Sequence, residues 1–200
     1  CFVVRNLADA TNSVTITYYH SGGTSVESQS IVAKGMWTRC QQSISGMPDG
    51  PLSARIVSSS NLTFVLAINQ SLTSAGKHMS YNGSRLGAKA VILPLLRRNQ
   101  TENGRVWNSG FQVQNAGSAP TWFTVSYFSS AGVRIAGQSM GYLAAGYAQG
   151  FYLPSVTVSG MTDGMWSAVA TAEQPLVVVA NATCTTCAGD NVYAYNGFGR

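Results

Sequence analysis

Residues Phe111 to Phe128, FQVQNAGSAPTWFTVSYF, decide the fold because the chain carries nearly the same stretch at its start. Phe2 to Tyr19 reads FVVRNLADATNSVTITYY, and the two stretches align without a gap. Each residue lies 109 positions from its match (111 − 2). A repeat of this kind predicts an internal duplication and therefore two domains. The matched pairs include Phe2 with Phe111, Val4 with Val113, Asn6 with Asn115, Ile16 with Val125 and Tyr18 with Tyr127.

Two later signals recur in the same order. Gly46 to Gly50, GMPDG, returns as Gly160 to Gly164, GMTDG, at a spacing of 114 residues (160 − 46). Tyr81 to Gly83, YNG, returns as Tyr195 to Gly197 at the same spacing (195 − 81). The change from 109 to 114 indicates loop insertions within the second copy.

The two copies suggest where one domain ends and the next begins. We predict a first domain at residues 1–86 and a second at residues 87–200. The second begins with an additional strand candidate at residues 90–96, the preface strand, which has no counterpart in the first. If the preface strand belongs to the sheet, the first domain leaves unpaired backbone groups at one edge, and proteins usually cover such edges.

Alternating side chains indicate strands in both copies. Val14 to Tyr18, VTITY, alternates apolar and hydroxyl side chains, and Phe123 to Tyr127, FTVSY, does the same. This period of two is typical of half-buried strands. No stretch shows the sustained 3.6-residue period of a helix. The predicted fold class is all-β, with two tandem antiparallel β-sandwich domains in an immunoglobulin-like arrangement.

We also predict a second hairpin in each domain. In the first domain it would join Leu52–Ser58 to Phe64–Asn69. In the second domain it would join Trp166–Thr171 to Leu176–Asn181 around the turn signal Glu173-Gln174-Pro175. The later run of each hairpin is mostly apolar, which predicts a central strand covered on both faces.

Charge is scarce in this sequence. Charged residues form 10% of the chain, against about 25% in typical soluble proteins, so we expect a neutral, hydroxyl-rich surface. The cationic residues between the two copies lack the interleaved aromatics of a nucleic-acid platform, so no nucleic-acid partner is predicted. They would form either a solvated connector or a contact with a polyanion. These residues are Arg85, Lys89, Arg97, Arg98 and Arg105.

The apolar runs are short. The run from Val91 to Leu96 falls well below the roughly 18 residues that a membrane helix needs, so no transmembrane segment is predicted. The start shows no basic region followed by an apolar one, so we expect any signal peptide to have been removed or to lie outside the sequence. Cys1 would also permit a lipid anchor, although strand-like residues from Phe2 onward leave no flexible tether.

Four cysteines predict structural disulfides and an oxidising compartment. They allow three pairings, of which we prefer Cys1 with Cys40 and Cys184 with Cys187. In an alternative, Cys1 or Cys40 forms a bridge to a neighbouring subunit. A zinc site would need ligands beyond the Cys184–Cys187 pair, and the two histidines are scattered. No metal or other cofactor is therefore predicted.

One pattern is similar to a hydrolase motif. Gly137 to Gly141, GQSMG, matches the Gly-x-Ser-x-Gly nucleophile elbow, which needs a following helix and later Asp and His residues. Both histidines, His20 and His78, precede this motif. Asp49 and Asp163 are repeat equivalents in turns, so they would not face each other across a glycosidase cleft. We predict that the protein is not an enzyme.

Five triplets fit the Asn-x-Ser/Thr pattern for N-glycosylation. Asn61 and Asn99 fall in predicted loops and are the best candidates. Asn69 and Asn181 end predicted central strands, where an alternative role is to satisfy local backbone groups. The fifth candidate, Asn82, belongs to the YNG signal.

Together these signals resemble the tandem β-sandwich repeats of secreted bacterial surface proteins. The resemblance rests on Leu93-Pro94-Leu95, Trp107-Asn108-Ser109 and Val113-Gln114-Asn115, then on an alternating strand, an Asp-Gly turn and Tyr195-Asn196-Gly197. Repeats of this kind are associated with stalks, sheaths and extracellular fibres, and they carry no active-site residues to transfer. The resemblance implies an extracellular or cell-surface location.

We predict a non-enzymatic structural subunit of an extracellular filament that polymerises with copies of itself. The open edge of the first domain would accept a strand from the next copy by β-augmentation, and repeated head-to-tail contacts make an open fibre. The candidate donors are the preface strand and the tail from Val192 to Arg200. The candidate donor and interface residues are Val91, Ile92, Leu93, Leu95, Tyr193, Tyr195 and Phe198.

The alternative function is an adhesin or carbohydrate-binding surface module with a glycan as its partner. Exposed aromatic side chains would then supply stacking faces for sugars. Their simpler interpretation is packing in a core or an interface. The candidates are Trp37, Trp107, Trp122 and Tyr147.

Overall fold

The structure is a computed structural model that describes residues 1–48, 50, 52–72 and 76–200. Its strands pair antiparallel, and no α-helix occurs among the described residues. The prediction of an all-β fold is therefore confirmed. The strands are β1 (Phe2–Asn6), β2 (Asn12–His20), β3 (Gly23–Ile31), β4 (Met36–Arg39), β5 (Ser53–Ser58), β6 (Phe64–Leu72), β7 (Lys77–Asn82), β8 (Ala88–Arg98), β9 (Gln100–Glu102), β10 (Arg105–Asn115), β11 (Thr121–Ser129), β12 (Arg134–Leu143), β13 (Ala148–Tyr152), β14 (Gly164–Cys184), β15 (Val192–Asn196) and β16 (Phe198–Gly199).

The chain forms two compact units. Unit 1 contains Cys1–Gln70 and Ser80–Gly83, and unit 2 contains Ser71–Met79 and Ser84–Arg200. The segment 71–79 thus groups with unit 2, although it precedes the boundary predicted after residue 86. Each unit has a hydrophobic core of its own.

Unit 1 has a sandwich-like arrangement of two sheets on one core. One sheet has the strand order β4-β1-β6-β7 and the other has the order β3-β2-β5. The alternation predicted for β2 is confirmed, because Val14, Ile16 and Tyr18 are buried while the residues between them are partly exposed. The core side chains of unit 1 are Val4, Val14, Ile16, Tyr18, Ile31 and Ile44.

Unit 2 is organised around the 21-residue strand β14. The first half of β14 pairs with β11 on one side and with β8 on the other. Its second half pairs with β10 and β15. Strand β8 includes the predicted preface strand at residues 90–96. It supplies the buried side chains Val91, Leu93 and Leu96 to the core.

The predicted second hairpins are wrong in both units. Strand β5 pairs with β2, whereas β6 pairs with β1 and lies in the other sheet. In unit 2 the two predicted arms are halves of the continuous strand β14. Within the predicted turn, the Gln174 N–H donates to Thr121 Oγ1 (3.4 Å) and the Pro175 carbonyl accepts from the Ala116 N–H (2.8 Å). The turn signal therefore marks where a strand changes partners, a position that tolerates proline.

Two disulfides join the four cysteines. Cys1 is bonded to Cys40 and Cys184 to Cys187, the pairings preferred from the sequence. The first bridge joins the start of β1 to the end of its partner β4. The second closes a short loop after β14. The sequence separations of the bonded cysteines are 39 and 3 residues, so the two bridges restrict the unfolded chain to different extents.

The longer disulfide loop is expected to contribute more stability. Replacing Cys1 and Cys40 with serine should lower the free energy of unfolding by about 4 kcal/mol, because the cross-link removes loop-closure entropy from the unfolded chain. The matched change at Cys184 and Cys187 should cost about 2 kcal/mol. Urea denaturation of both double variants measures the difference. Equal losses would contradict the loop-length argument.

A small ionic cluster connects the two sheets of unit 1. Arg39 on β4 donates from Nε to Glu27 Oε1 on β3 (3.1 Å), and the Tyr18 hydroxyl donates to Glu27 Oε2 (3.1 Å). The Arg39 hydrogen bonds hold the pKa of the Glu27 carboxyl below its ordinary value. Burial, together with the nearby Glu27 charge, raises the pKa of Tyr18. The cluster therefore favours the ionised carboxylate in the folded state.

Replacing Glu27 with glutamine should lower the melting temperature at pH 7. A carboxyl whose pKa is depressed by folding contributes stability above its unfolded pKa, and that contribution is lost as pH falls through its folded pKa. The difference between Glu27→Gln and the wild type should therefore shrink in acid, below the ordinary glutamate pKa. Thermal unfolding from pH 3 to pH 7 tests this, and a difference independent of pH would contradict it.

Candidate functional site

The outer edge of β5 in unit 1 is the strongest candidate site. Among the residues that the structure describes, β2 is the one strand that pairs with β5. The Ser59 N–H donates to the Ser13 carbonyl (2.9 Å). Hydrogen-bonded positions alternate along an antiparallel pair, so Arg55 and Val57 bond to β2. Ile56 therefore directs its N–H and carbonyl away from β2.

The first half of β14 has the same register against β11 that β5 has against β2. Ile16 lies opposite Ile56, and Val125 lies opposite Ala170. Tyr18 likewise lies opposite Ala54, as Tyr127 lies opposite Ala168. The β14 edge differs from the β5 edge in one respect, because β8 pairs along its far side.

The two edges also differ in the burial of their side chains. In unit 2, Ala168 and Ala170 of β14 are fully buried, as is Leu93 of the adjacent strand β8. In unit 1, the matching Ala54 and Ile56 are only partly buried. Positions that are fully buried beside β8 in unit 2 are therefore partly accessible at the β5 edge of unit 1.

Unit 1 also contains a depression in the turn region between β4 and β5. Its volume is about 350 Å³, and it follows β4 at the 3₁₀ turn Gln41–Ser43. The residues that line it are Gln41, Gln42, Ile44, Met47 and Gly50. Asp49 and Pro51, which belong to or follow the predicted GMPDG turn, lie outside the described residues.

In unit 2 the end of β8 binds the matching turn, Leu153–Ser155. Arg98 Nη1 donates to the carbonyls of Leu153 (3.3 Å) and Val156 (2.7 Å). Arg98 Nε also donates to Asp163 Oδ1 (3.3 Å) in the GMTDG turn. The sequence predicted a turn-forming role for Asp163 and missed this contact, because the partner lies 65 residues earlier in the chain.

The structure places the four β8 candidates within unit 2. Val91 and Leu93 are buried in the core, whereas Ile92 and Leu95 are partly buried. Strand β8 pairs with β14 along most of its length and with β16 at two residues. Strand β8 thus shows, within this chain, how an additional strand pairs along such an edge.

The tail candidates differ widely in exposure. Tyr195 packs on the core of unit 2 and its hydroxyl donates to the Leu95 carbonyl, while burial raises its pKa to about 12. Tyr193 packs against Trp107 with ring centroids 6.1 Å apart. Phe198 is 61% exposed, and β16 pairs only through Phe198 and Gly199. Of the predicted donor segments, the tail from Phe198 is thus the one held least firmly in unit 2.

Three of the cationic residues make contacts within unit 2. Arg97 forms an ion pair with Glu102 (2.7 Å) and lies over the Trp107 ring, 5.1 Å from its centroid. Lys89 lies 3.9 Å from Glu173. With the Arg98 contacts described above, these interactions favour a structural role for the cluster over a polyanion contact.

The Gly-x-Ser-x-Gly motif lies within β12 rather than at a strand-to-helix turn. Ser139 Oγ shares a hydrogen bond with the Tyr127 hydroxyl (2.8 Å). In the described part of the chain, no group of three or more His, Cys, Asp or Glu side chains could hold a metal ion. None of the described residues forms a helix long and apolar enough to cross a membrane.

The glycosylation candidates also differ in their surroundings. Asn61 and Asn99 have positive φ angles of 55° and 41° in exposed turns, and the Asn99 amide donates to Asp163 (3.0 Å). Asn181 is partly buried and its Oδ1 accepts from the Gly110 N–H (3.2 Å). The two other candidates, Asn69 and Asn82, are exposed at or near strand ends.

The aromatic candidates separate clearly. Trp37 packs edge-on against Phe2, with centroids 5.8 Å apart, and Tyr147 packs on the core of unit 2. Trp122 is 65% exposed. Its neighbour Tyr142 was not predicted as a candidate. Tyr142 lies in β12, where apolar and polar residues alternate too weakly to show which face of the sheet it occupies.

No protein-family model matches the sequence, and no curated protein matches it. Among solved structures, the crystal structure of Thermotoga maritima 1070 is similar over 57% of this chain and 96% of that chain, with 11% identity and a TM-score of 0.45. The Anabaena sensory rhodopsin transducer is similar over 49% of this chain and 91% of that chain, with 14% identity and a TM-score of 0.39. Similarities of this size carry no argument about function.

Proposed function

We propose that the protein is a non-enzymatic structural subunit of an extracellular bacterial filament, in which each copy completes the β5 edge of the next. The observation that carries this proposal is the contrast between the β5 edge of unit 1 and the edge of β14 in unit 2, which have the same register against β2 and β11. One edge is covered by β8, and the other has β2 as its one strand partner in the described residues. A sheet edge with accessible apolar side chains is a template for another strand.

The contrast is informative if the two units are copies of one sandwich, and this duplication is part of the proposal. Two buried asparagines support it. Asn6 accepts a hydrogen bond from the N–H two residues later and donates to the carbonyl four residues later. Asn115 makes the same two bonds in unit 2. Shared side-chain bonding at matched positions is not required by strand pairing alone.

The choice of donor follows from what each segment would lose. Withdrawing β8 would expose Val91, Leu93 and Leu96, each fully or almost fully buried, at about 1.5–3 kcal/mol per side chain. Releasing the tail from Phe198 would break the short pairing of β16 and the hydrogen bond from the Arg200 N–H to the Ala90 carbonyl (2.9 Å). The donor in this proposal is therefore the tail, with Phe198 entering the depression lined by Ile44 and Met47.

A head-to-tail contact of this kind joins two different surfaces and so extends without closure. Main-chain hydrogen bonds along β5 would supply affinity, and the fit of Phe198 would supply register. The low charge of the chain and its two disulfides are consistent with an oxidising location outside the cell. The sequons remain candidates for modification there.

Negative-stain electron microscopy of the purified native material, with size-exclusion chromatography alongside, tests the proposal. We expect uniform fibres whose mass per length corresponds to one chain per repeat. A monodisperse monomer across the micromolar range would contradict assembly through β5.

A further inference from the structure

Three exposed side chains form an apolar cluster on the outer face of unit 2. Trp122 on β11 and Tyr142 on β12 are direct cross-strand partners, with ring centroids 5.2 Å apart and an interplanar angle of 56°. Met140 precedes Tyr142 by two residues on the same face and lies opposite Thr124. Trp122 is 65% exposed, Tyr142 55% and Met140 58%. Two paired strands hold the rings in place.

Unit 1 shows that this cluster is not needed to build such a sheet. At the matching register of the β2–β3 pair, Ser13 lies opposite Ser30. Thr15 lies opposite Ser28, and their hydroxyl groups are hydrogen-bonded (2.8 Å). Hydroxyl side chains therefore serve at positions where unit 2 carries Trp, Tyr and Met. Single exposed apolar residues are ordinary, but a contiguous cluster marks an interaction site.

The surroundings of the cluster can form hydrogen bonds. Thr124 lies between Met140 and Thr171 in one row across the sheet. Of the charged groups at the margins, Glu173 lies 3.9 Å from Lys89, whereas Arg134 donates to the neutral Gln138 side chain (3.1 Å) and keeps its positive charge. The surface thus offers aromatic faces and hydroxyl groups, with the Arg134 charge at its margin.

From this arrangement we infer that the Trp122–Tyr142 cluster binds a neutral, β-linked saccharide chain. Pyranose rings with equatorial hydroxyl groups have a flat apolar C–H face that packs on an aromatic ring, while the hydroxyl groups bond at the rim. Trp122 would supply the stacking floor and Tyr142, tilted against it, a side wall with a polar tip. Thr124 and Thr171 would face the sugar hydroxyl groups.

A second protein is a poorer fit to this surface. Stable protein interfaces bury about 800 Å² on each partner, and three adjacent side chains on a hydroxyl-bearing sheet supply a small part of that area. A free ion also fits poorly, because the cluster has no unpaired charge of its own. A flat neutral oligosaccharide is the ligand whose chemistry matches both the rings and their rim.

Isothermal titration calorimetry with cellohexaose and with chitohexaose tests the inference, with dextran as an α-linked comparison. We expect saturable binding of at least one of the two β-linked hexasaccharides and none of dextran. The double variant Trp122→Ser with Tyr142→Ser, which installs the residues that unit 1 carries, should weaken binding at least twentyfold. Trp122→Phe should retain more affinity than Trp122→Ser.

Tyr152→Ser is the matched control, because Tyr152 is also a half-exposed tyrosine on a strand of unit 2. It should leave saccharide affinity unchanged, and all variants should keep the far-ultraviolet circular dichroism of the wild type. Absence of binding to both hexasaccharides, or undiminished binding by the double variant, would overturn the inference. Equal binding of dextran would overturn the β-linked class. Lost self-association in the double variant without any saccharide binding would identify a contact between copies instead.

Discussion

Replacing Asn115 with aspartate is expected to destabilise unit 2 severely. Asn115 is fully buried. Its Nδ2 donates to the carbonyls of Ala119 (2.8 Å) and Leu143 (3.1 Å), and its Oδ1 accepts from the Gly117 N–H (2.9 Å). Every hydrogen-bonding atom of the side chain thus fixes part of the backbone where β10 ends.

The aspartate would place a carboxylate oxygen against two carbonyl oxygens. Two hydrogen bonds would be lost, each worth about 1–3 kcal/mol once the buried partner is left unsatisfied, and the charge would be desolvated as well. We expect Asn115→Asp to lower the free energy of unfolding by about 4 kcal/mol or more. Asn115→Ala, which loses the bonds without the charge, should lose less.

Urea denaturation at pH 7 measures these losses, and repeating it at pH 4 separates the charge from the missing bonds. A protonated aspartate can donate one hydrogen bond, so Asn115→Asp should recover stability in acid while Asn115→Ala should not. Asn103→Asp is the control, because Asn103 lies in an exposed turn with a φ of 50°. Equal losses in Asn103→Asp and Asn115→Asp would contradict the assigned network.

The sequence predicted much of the fold because several signals were local. The alternation of Val14 to Tyr18 and of Phe123 to Tyr127 located β2 and β11 without any knowledge of their partners. The run from Ala90 to Leu96 located β8 in the same way. These patterns succeed because a half-buried strand imposes its period of two on neighbouring residues.

The sequence failed where the decisive contact was distant. Glu173-Gln174-Pro175 predicted a turn because proline disrupts a ladder, but the backbone there bonds to Ala116 and Thr121 and the strand continues. No local pattern distinguishes a hairpin from a strand that changes partners. Pairing order is set by packing among segments that are distant in the chain, which a single sequence does not display.

The candidate site was partly predicted for the same reason. The sequence predicted the preface strand at residues 90–96, which β8 contains, and the repeat matched Leu52–Ser58 to Trp166–Thr171. The depression lined by Ile44 and Met47 could not be predicted, because its shape depends on the folded conformation of the region after β4. Likewise, the sequence could not rank the donors, since burial of Leu93 and exposure of Phe198 depend on the folded unit.

Replacing Ile56 with proline is expected to weaken the proposed assembly while leaving unit 1 folded. The N–H of Ile56 points away from β2, so proline removes no hydrogen bond from the existing ladder. It does remove a donor that an added strand would use, and its ring obstructs close approach of that strand. The concentration needed for half-maximal assembly should rise at least roughly tenfold, equivalent to about 1.4 kcal/mol.

The same sheet offers a matched control at its opposite edge. Thr17 lies opposite Arg55 on β5 and opposite Val26 on β3. Since the backbone of Thr17 bonds to β5, Val26 does not bond to β2, and its N–H points outward from β3. Val26→Pro therefore also removes an outward-facing N–H and should leave assembly intact, although Val26 is 61% exposed whereas Ile56 packs on the core. Light scattering and electron microscopy measure assembly, and circular dichroism of both variants measures folding.

A second variant acts on the other partner of the proposed contact. Phe198→Ser removes an exposed side chain and should weaken assembly without affecting the stability of the monomer, because Phe198 contributes little to its own unit. If Ile56→Pro assembles normally while folded, strand addition at β5 is wrong. If Ile56→Pro fails but Phe198→Ser assembles as the wild type does, β5 is the acceptor and the donor is a different segment. Loss of assembly in both variants, with Val26→Pro unaffected, is the result that the two edges of unit 1 lead us to expect, because only the β5 edge has a covered counterpart in unit 2.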